Sequence, residues 1–139
     1  MVMRKTNAIA FLCIFTAGLL VFVPQVQAQT LDQQKEALIG EWNGAWPPWH
    51  EPATLIVHEI DTANAKARCT WTSSARGEKK YPVLADFTPG QNPKLAFKIE
   101  MMDLQFVLKD KVLMGTSQGT SAYGQNISLT IKMEKKPKK

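Results

Sequence analysis

Residues 65–72 read Ala-Lys-Ala-Arg-Cys-Thr-Trp-Thr, and this stretch carries the clearest signal of fold class in the chain. Ala67, Cys69 and Trp71 alternate in it with charged or hydroxyl-bearing residues. Successive side chains of a β-strand point to opposite faces, so a period of two with one apolar side is typical of a half-buried strand. The stretch therefore predicts a strand that carries Cys69 and Trp71 on its inward face.

Outward from this stretch, the same period of two recurs along most of the chain after Gly40. Further apolar faces are formed by Trp42 and Trp46; by Tyr81, Val83, Ala85 and Phe87; by Leu95, Phe97, Ile99 and Met101; by Leu104, Phe106 and Leu108; and by Ile127, Leu129 and Ile131. Residues 112–116 add another short strand. Residues 53–60 are apolar on both sides, so alternation does not decide which side faces inward.

The connections between these strands decide how the strands pair. Parallel neighbours need a crossover of a dozen or more residues, and no connection here is long enough for a crossover helix. An antiparallel barrel or a sandwich remains. Tight hairpin links after Glu100 and Lys109 favour strands that pair in chain order. We therefore expect an all-β fold, a small antiparallel up-and-down barrel of about eight strands with a short N-terminal helix.

That helix is predicted over residues 31–39, which are rich in good helix formers. Asp32 is the expected N-cap, because its side chain can accept a hydrogen bond from a free backbone N–H of the first turn. Gly40 is expected to end the helix.

The charge of the chain is concentrated at its ends. There are 17 basic and 12 acidic residues, a formal charge of +5, but residues 1–28 and 133–139 together carry all of this excess. A nucleic-acid-binding domain would gather its Lys and Arg on the fold itself. The neutral body of the chain therefore argues against a nucleic-acid partner.

The first 28 residues have the order of a secretory signal peptide. Arg4 and Lys5 precede an uncharged run at 8–23, and Ala28 supplies a small residue at a cleavage site. An uncleaved membrane anchor is the alternative, but the run is shorter than the roughly 20 apolar residues that span a bilayer. We expect residues 1–28 to be removed, residues 29–132 to form the barrel, and residues 133–139 to be a basic, disordered tail. The protein would then be periplasmic or secreted.

Cleavage would leave Cys69 as the single cysteine, so no disulfide could form within one chain. Burial of Cys69 is one expectation, and a reactive or dimer-linking thiol is the alternative.

The five residues Leu38-Ile39-Gly40-Glu41-Trp42 resemble the Gly-x-Trp signature of lipocalins and related calycin-like barrels. The resemblance extends over about residues 31–131, in a chain similar to a short secreted bacterial lipocalin-like protein. It implies that Trp42 packs across the closed end of a barrel. It also implies a general capacity to bind ligands, without naming one.

The loop from Trp46 to Pro52, Trp-Pro-Pro-Trp-His-Glu-Pro, is the most unusual stretch of the sequence. Proline fixes φ and lacks a donor, so we expect this 46–52 loop to be stiff and to stay outside the strand ladder. It would present Trp49 and His50 to a ligand or partner, and stiffness lowers the ordering cost of binding. Alternatively, Trp49 folds back as a lid on the barrel.

Trp46 and Trp71 fall on inward faces, where they would pack in the core or line a cavity. An eight-stranded barrel is just wide enough to be filled by side chains or to hold one small ligand. Large side chains that could fill it are Phe87, Phe97, Met101, Phe106 and Met114.

We predict a non-catalytic protein that binds a small, largely apolar ligand at the barrel mouth, with no cofactor. The predicted contacts are Trp46, Trp49, His50, Trp71, Tyr81 and Tyr123, the tyrosines orienting the ligand through their hydroxyls. A monomer is expected.

Other functions remain as alternatives. In one, the 46–52 loop of an interaction module or inhibitor binds a protein or polysaccharide; in another, His50 and Glu51 form a hydrolytic site at the rim. No metal site is expected, because His50, His58 and Cys69 lack ligand spacing. The C-terminal lysines could contact anionic surfaces; they are Lys132, Lys135, Lys136, Lys138 and Lys139.

Overall fold

The computed structural model describes residues 30–74, 77–120 and 123–138. This part of the chain holds one helix, α1 (Leu31–Leu38), followed by eight strands. The strands are β1 (Gly40–Trp46), β2 (Glu51–Asp61), β3 (Lys66–Ser73), β4 (Lys79–Thr88), β5 (Lys94–Ile99), β6 (Met102–Lys109), β7 (Val112–Thr120) and β8 (Asn126–Lys135). Each strand pairs antiparallel with the next, and β1 also pairs with β8, which closes the barrel. The predicted all-β, up-and-down barrel is confirmed. The expected signal peptide lies outside the described residues.

The up-and-down order gives the barrel two distinct ends. The helix end carries α1 and the turns at 62–65, 89–93 and 110–111. The mouth end carries the connections from β1 to β2, β3 to β4, β5 to β6 and β7 to β8. Among the described residues, no helix is long and apolar enough to cross a membrane.

Helix α1 begins at Leu31, as predicted, but its N-cap is Thr30 and not Asp32. The Thr30 side chain accepts a hydrogen bond from the Gln33 backbone N–H, and the Gln33 side chain accepts one from the Thr30 N–H. This reciprocal pair is a capping box, and it satisfies two backbone donors that the helix leaves free. The helix ends at Leu38, and Ile39 is its C-cap.

The inward face of β2, which the sequence left open, changes along the strand. Ala53, Leu55 and Val57 are buried, and so is Ile60, although Ile60 has the opposite parity. The register with β3 shifts between Val57 and Glu59, as in a β-bulge. One extra residue reverses the alternation, so both apolar patterns in the sequence contribute to the core.

The C-terminal boundary predicted at residue 132 was wrong. Strand β8 continues to Lys135, and Met133 is completely buried on the face that also carries Ile131. Residues 133–135 pair with β1 at Gly44, Asn43 and Trp42. The charges of the segment suggested a solvated tail, but closing the barrel requires these residues as a partner for β1.

Aromatic side chains fill the middle of the barrel. The Trp71 ring centroid lies 6.1 Å from that of Phe97 and 5.7 Å from that of Phe106. Phe87 is buried as well. Met101 and Met114, predicted as possible filling residues, are 70% and 40% exposed. Met101 lies in the turn after β5, and Met114 faces outward from β7.

Candidate functional site

A cavity of about 320 Å³ opens at the mouth end of the barrel. Apolar side chains make up most of its wall, and its lining residues are Trp46, Trp49, Glu51, Trp71, Ser73, Ile99, Met102, Leu104 and Leu129. The interior is therefore filled at its centre and hollow at the mouth. The sequence left open whether the barrel is filled by side chains or holds a ligand cavity; its centre is filled, and its mouth contains the cavity.

Three tryptophans surround this cavity, and the strands fix two of them. Trp46 ends β1 and Trp71 lies in β3, and both side chains point inward and are buried. Their ring centroids are 6.3 Å apart at an interplanar angle of 69°, an edge-to-face contact. Trp49 lies in the turn between β1 and β2 and is 70% exposed, although it also borders the cavity.

The 46–52 loop takes part in the sheet more than its prolines suggested. Ala45 pairs with Pro52 and Trp46 with Glu51, so only residues 47–50 form the turn. The expectation that the whole loop stays outside the ladder was wrong at Glu51 and Pro52. Proline is tolerated in a strand where no ladder donor is required of it.

Glu51 lines the cavity because of its position in β2. Ala53 and Leu55 point inward from this strand, so two-residue alternation directs Glu51 inward as well. Its cross-strand neighbour is Trp46, which lines the cavity too. The sequence indicated Glu51 only as a partner of His50. Its inward direction depends on β2 beginning at residue 51, which the prolines obscured.

Two serines lie on the inward faces near the cavity. Ser73 ends β3 and is part of the lining. Ser117 on β7 is buried between Leu104 and Leu129, its cross-strand neighbours, which both line the cavity. Among the described residues, the Ser117 Oγ atom is the buried side-chain oxygen or nitrogen without a hydrogen-bond partner. Leaving a buried hydroxyl without a partner costs about 1–3 kcal/mol.

Three of the six predicted contact residues do not line the cavity. His50 is exposed in the turn, with φ of 55°. Tyr81 is half-buried against the core, and its hydroxyl lies 3.3 Å from Glu100 Oε1. Tyr123 is 91% exposed beyond the end of β7. The structure thus brings together Trp46, Trp49 and Trp71.

Four lining residues on β5, β6 and β8 were not singled out from the sequence as contacts: Ile99, Met102, Leu104 and Leu129. Their alternation predicted that Ile99, Leu104 and Leu129 point inward. Which inward residues reach the mouth depends on strand register, which one sequence does not specify.

Cys69 is buried, and burial raises the pKa of its thiol to about 12. His58, on the neighbouring strand β2, is exposed, and its Nε2 atom lies 2.7 Å from the Thr70 hydroxyl oxygen. The prediction that Cys69 is buried is confirmed. Within the described ranges, no group of three or more His, Cys, Asp or Glu side chains could hold a metal ion.

The C-terminal lysines make contacts within the fold. Lys135 donates from Nζ to the backbone oxygens of Glu36 and Ala37 at 3.1 and 3.2 Å. Lys136 lies 3.8 Å from a Glu41 carboxylate oxygen, and Lys132 lies 3.9 Å from one of Glu134. Lys139 lies outside the described residues.

Two other depressions of about 670 Å³ differ from this cavity in position. One lies at the mouth-end rim beside the turn after β5 and is lined mainly by charged and polar side chains. The other lies at the helix end, beside Trp42 and Lys135. The cavity bordered by the tryptophans is lined mainly by inward-facing side chains of the strands.

An eight-stranded antiparallel barrel with one short helix is compatible with a lipocalin-like fold. Searches against protein-family models, curated proteins and solved structures give no match for this chain.

Proposed function

We propose that this protein is an exported, non-catalytic binding protein of lipocalin-like type that takes a small, largely apolar ligand at the barrel mouth. The observation that carries the proposal is the cavity of about 320 Å³ bordered by Trp46, Trp49 and Trp71. Ligand sites of roughly 300–1,000 Å³ with mainly apolar walls and a few polar groups are typical of small-molecule binding. This cavity has the volume of the smaller members of that class.

The position of the tryptophans supports the same function. Trp46 and Trp71 are held by strand pairing and by their ring contact, so their surfaces are preformed. Preformed contacts lower the entropy cost of binding. Trp49, on the turn above them, is placed where it can cover a bound molecule. Burial of apolar ligand surface against these rings would supply most of the binding free energy.

The test is a titration with phenylnaphthylamine, a neutral aromatic probe that fluoresces in apolar surroundings. We expect saturable binding of one probe molecule per chain. Leu129→Phe adds volume inside the cavity and should weaken binding by about 10-fold or more, because the larger ring occupies space that the probe would fill. Leu84→Phe adds the same type of side chain on the outer face of β4, where Leu84 is exposed, and should bind as the wild type does. Equal affinity of all three proteins would contradict a site in the cavity.

A second candidate function rests on the exposure of Trp49. Together with Met101 and Tyr123, which are also exposed at the mouth end, it could dock a protein or polysaccharide partner. Co-sedimentation with insoluble cellulose, chitin and peptidoglycan tests the polysaccharide form. Under this function Trp49→Ala abolishes sedimentation but leaves the probe titration intact. Sedimentation that survives Trp49→Ala would remove this loop from the interaction.

The proposal that the protein is exported rests on the order of charged and apolar residues within 1–28. The mass of the protein recovered from the exported fraction tests it. A chain that begins at Gln29 is expected, and a chain that retains residues 1–28 would contradict cleavage.

A further inference from the structure

Among the described residues, one charged side chain lines the cavity. Of the nine side chains that line it, seven are apolar or aromatic, Ser73 contributes a hydroxyl, and Glu51 contributes a carboxylate. Glu51 is half-buried and points to the inside of the barrel from the first position of β2. An inward position at the end of a strand normally carries an apolar or small residue, because removing a charge from water is unfavourable.

Glu51 also differs from the ion-paired acids on the outside of the barrel. Asp86 pairs with Lys66, and Glu59 pairs with Arg68. Within the described residues, the Glu51 carboxylate makes neither an ion pair nor a side-chain hydrogen bond. It is directed at the cavity, and no Lys or Arg among the described residues lines that cavity beside it. A cation supplied by a ligand would complete the site.

The aromatic residues of the same wall suit a cation equally well. The face of an indole ring carries a negative electrostatic potential, and tryptophan is the aromatic side chain that attracts cations most strongly. Trp46 is the direct cross-strand partner of Glu51, and Trp49 lies on the turn that joins them. The carboxylate and these two indoles therefore surround the same part of the mouth.

From this arrangement we propose that the ligand is a hydrophobic cation, an amine or quaternary ammonium group joined to an apolar body. This inference rests on the proposed function and specifies its ligand class. The cationic group lies between Glu51 and the indoles of Trp46 and Trp49. The apolar body lies deeper, against Leu104 and Leu129. Fatty acids and other anionic amphiphiles are disfavoured, because their head group would meet the Glu51 charge.

The other charged side chains near the mouth do not change this assignment. Among the described residues these are Glu78, Lys79, Lys80, Lys98, Glu100 and Asp103, which are all exposed and do not line the cavity. Three are basic and three acidic, so their fields largely cancel. Lys79 also lies over the Tyr81 ring, at 5.3 Å from its centroid. Among the described residues, Glu51 is therefore the charge that a ligand inside the cavity would contact.

The experiment compares three ligands of nearly equal size by isothermal titration calorimetry. Benzyltrimethylammonium is a cation, neopentylbenzene is its neutral isostere with carbon in place of nitrogen, and hydrocinnamate is an anion. We expect the cation to bind the wild-type protein about 10-fold more tightly than the neutral ligand, and the anion to bind more weakly than either.

Two variants assign the preference to Glu51. Glu51→Gln keeps the shape of the side chain and removes its charge, so the cation should lose most of its advantage while the neutral ligand binds unchanged. Glu78→Gln removes an exposed charge at the same end of the barrel, outside the cavity, and should keep the wild-type preference. Circular dichroism of each variant confirms that the barrel has folded.

The outcomes separate this inference from the proposed function. Equal binding of cation and neutral ligand by the wild type, or a preference that survives Glu51→Gln, overturns the inference and leaves the cavity as a binding site for apolar molecules. Failure of all three ligands and of phenylnaphthylamine to bind overturns both.

Discussion

The two ends of this barrel use the same residue type in opposite ways. At the helix end, Trp42 is buried, and its indole Nε1 donates to the Leu38 backbone oxygen at 2.9 Å. At the mouth end, Trp46 and Trp71 are equally inward-facing, but their outer edges border a cavity. Trp42 also borders the depression at the helix end, but it is only 1% exposed and its polar atom is paired, so it contributes mainly to stability. Under the proposed function, Trp46 and Trp71 contact the ligand at the edges that border the mouth cavity.

The buried polar groups differ between the two ends in the same sense. At the helix end, Gln34 accepts from the Gly90 backbone N–H at 2.9 Å, and Lys135 donates to two carbonyl oxygens of α1. Burial lowers the pKa of Lys135, and its Nζ atom lies 5.7 Å from the Trp42 ring centroid. In the mouth half of the barrel, Ser117 has no such partner among the described residues. The polar groups at the helix end are hydrogen-bonded, whereas the mouth half contains an open cavity and a buried hydroxyl without a partner among the described residues.

Truncating a tryptophan at each end should give the largest difference in the free energy of unfolding. Trp42→Ala should lower the free energy of unfolding by about 3–5 kcal/mol, because it leaves a cavity in a packed region. Trp49→Ala removes a largely exposed ring and should change it by no more than about 0.5 kcal/mol. Urea denaturation followed by circular dichroism measures both. Comparable losses in the two variants would mean that Trp49 is part of the core and that the ends do not differ.

A glycine at each end sharpens the comparison of packing. Gly40 has φ of 140°, and a Cβ atom there would lie 2.6 Å from Lys135 Cε. Gly40→Ala should therefore cost about 3 kcal/mol, from backbone strain and from displacement of Lys135 away from α1. Gly124, at the mouth end, has φ of 78° and nothing within 4 Å of the added atom, so Gly124→Ala should cost about 1 kcal/mol. Equal costs, measured by urea denaturation, would show that Lys135 does not restrict the helix end.

Cys69, between the two ends, provides a test of the packed centre through pH. Its thiol has a pKa of about 12 in the folded protein, above its ordinary value of 9.0, because burial disfavours the thiolate. Above pH 9 the unfolded chain loses this proton while the folded protein keeps it. Stability should therefore fall as pH rises from 9 towards 12, by up to about 1.4 kcal/mol per pH unit. Cys69→Ala removes this component, so the wild type should show the steeper decline in thermal unfolding. Identical pH profiles would place Cys69 in contact with water.

The smallest effect is expected at the partnerless hydroxyl near the mouth. Ser117→Ala should raise the free energy of unfolding by about 1 kcal/mol, because it removes a buried polar atom that makes no hydrogen bond. Ser128→Ala, at an exposed position on β8, should leave it nearly unchanged. The measurement is again urea denaturation. A loss of stability at Ser117 would indicate that its hydroxyl has a partner in solution.

The barrel itself could be predicted because alternation and short connections are local properties of the sequence. The face of residues 53–60 could not, because the bulge after Val57 depends on how β2 pairs with β3. The end of β8 was missed although Met133 continues the alternation of Leu129 and Ile131. Its charged neighbours resembled a solvated tail, and only the need of β1 for a partner places it in the sheet.

The candidate site was predicted in its aromatic part and missed in its polar part. Trp46 and Trp71 followed from alternation, since an inward residue near the end of a strand borders the mouth. The exposure of Tyr123 depends on the path of the chain beyond β7, which alternation does not describe. The carboxylate of Glu51 was overlooked as a cavity residue because three prolines made its strand look like a loop.

The measurement that tests the difference between the ends most directly is a ¹⁵N–¹H correlation spectrum of the four tryptophan indole N–H groups during a phenylnaphthylamine titration. Because the cavity borders Trp46, Trp49 and Trp71, their three resonances should shift together and saturate. The Trp42 resonance should stay in place, since its N–H is bonded to Leu38 at the helix end. A shift at Trp42 alone, or no shift at all, would contradict a binding site at the mouth.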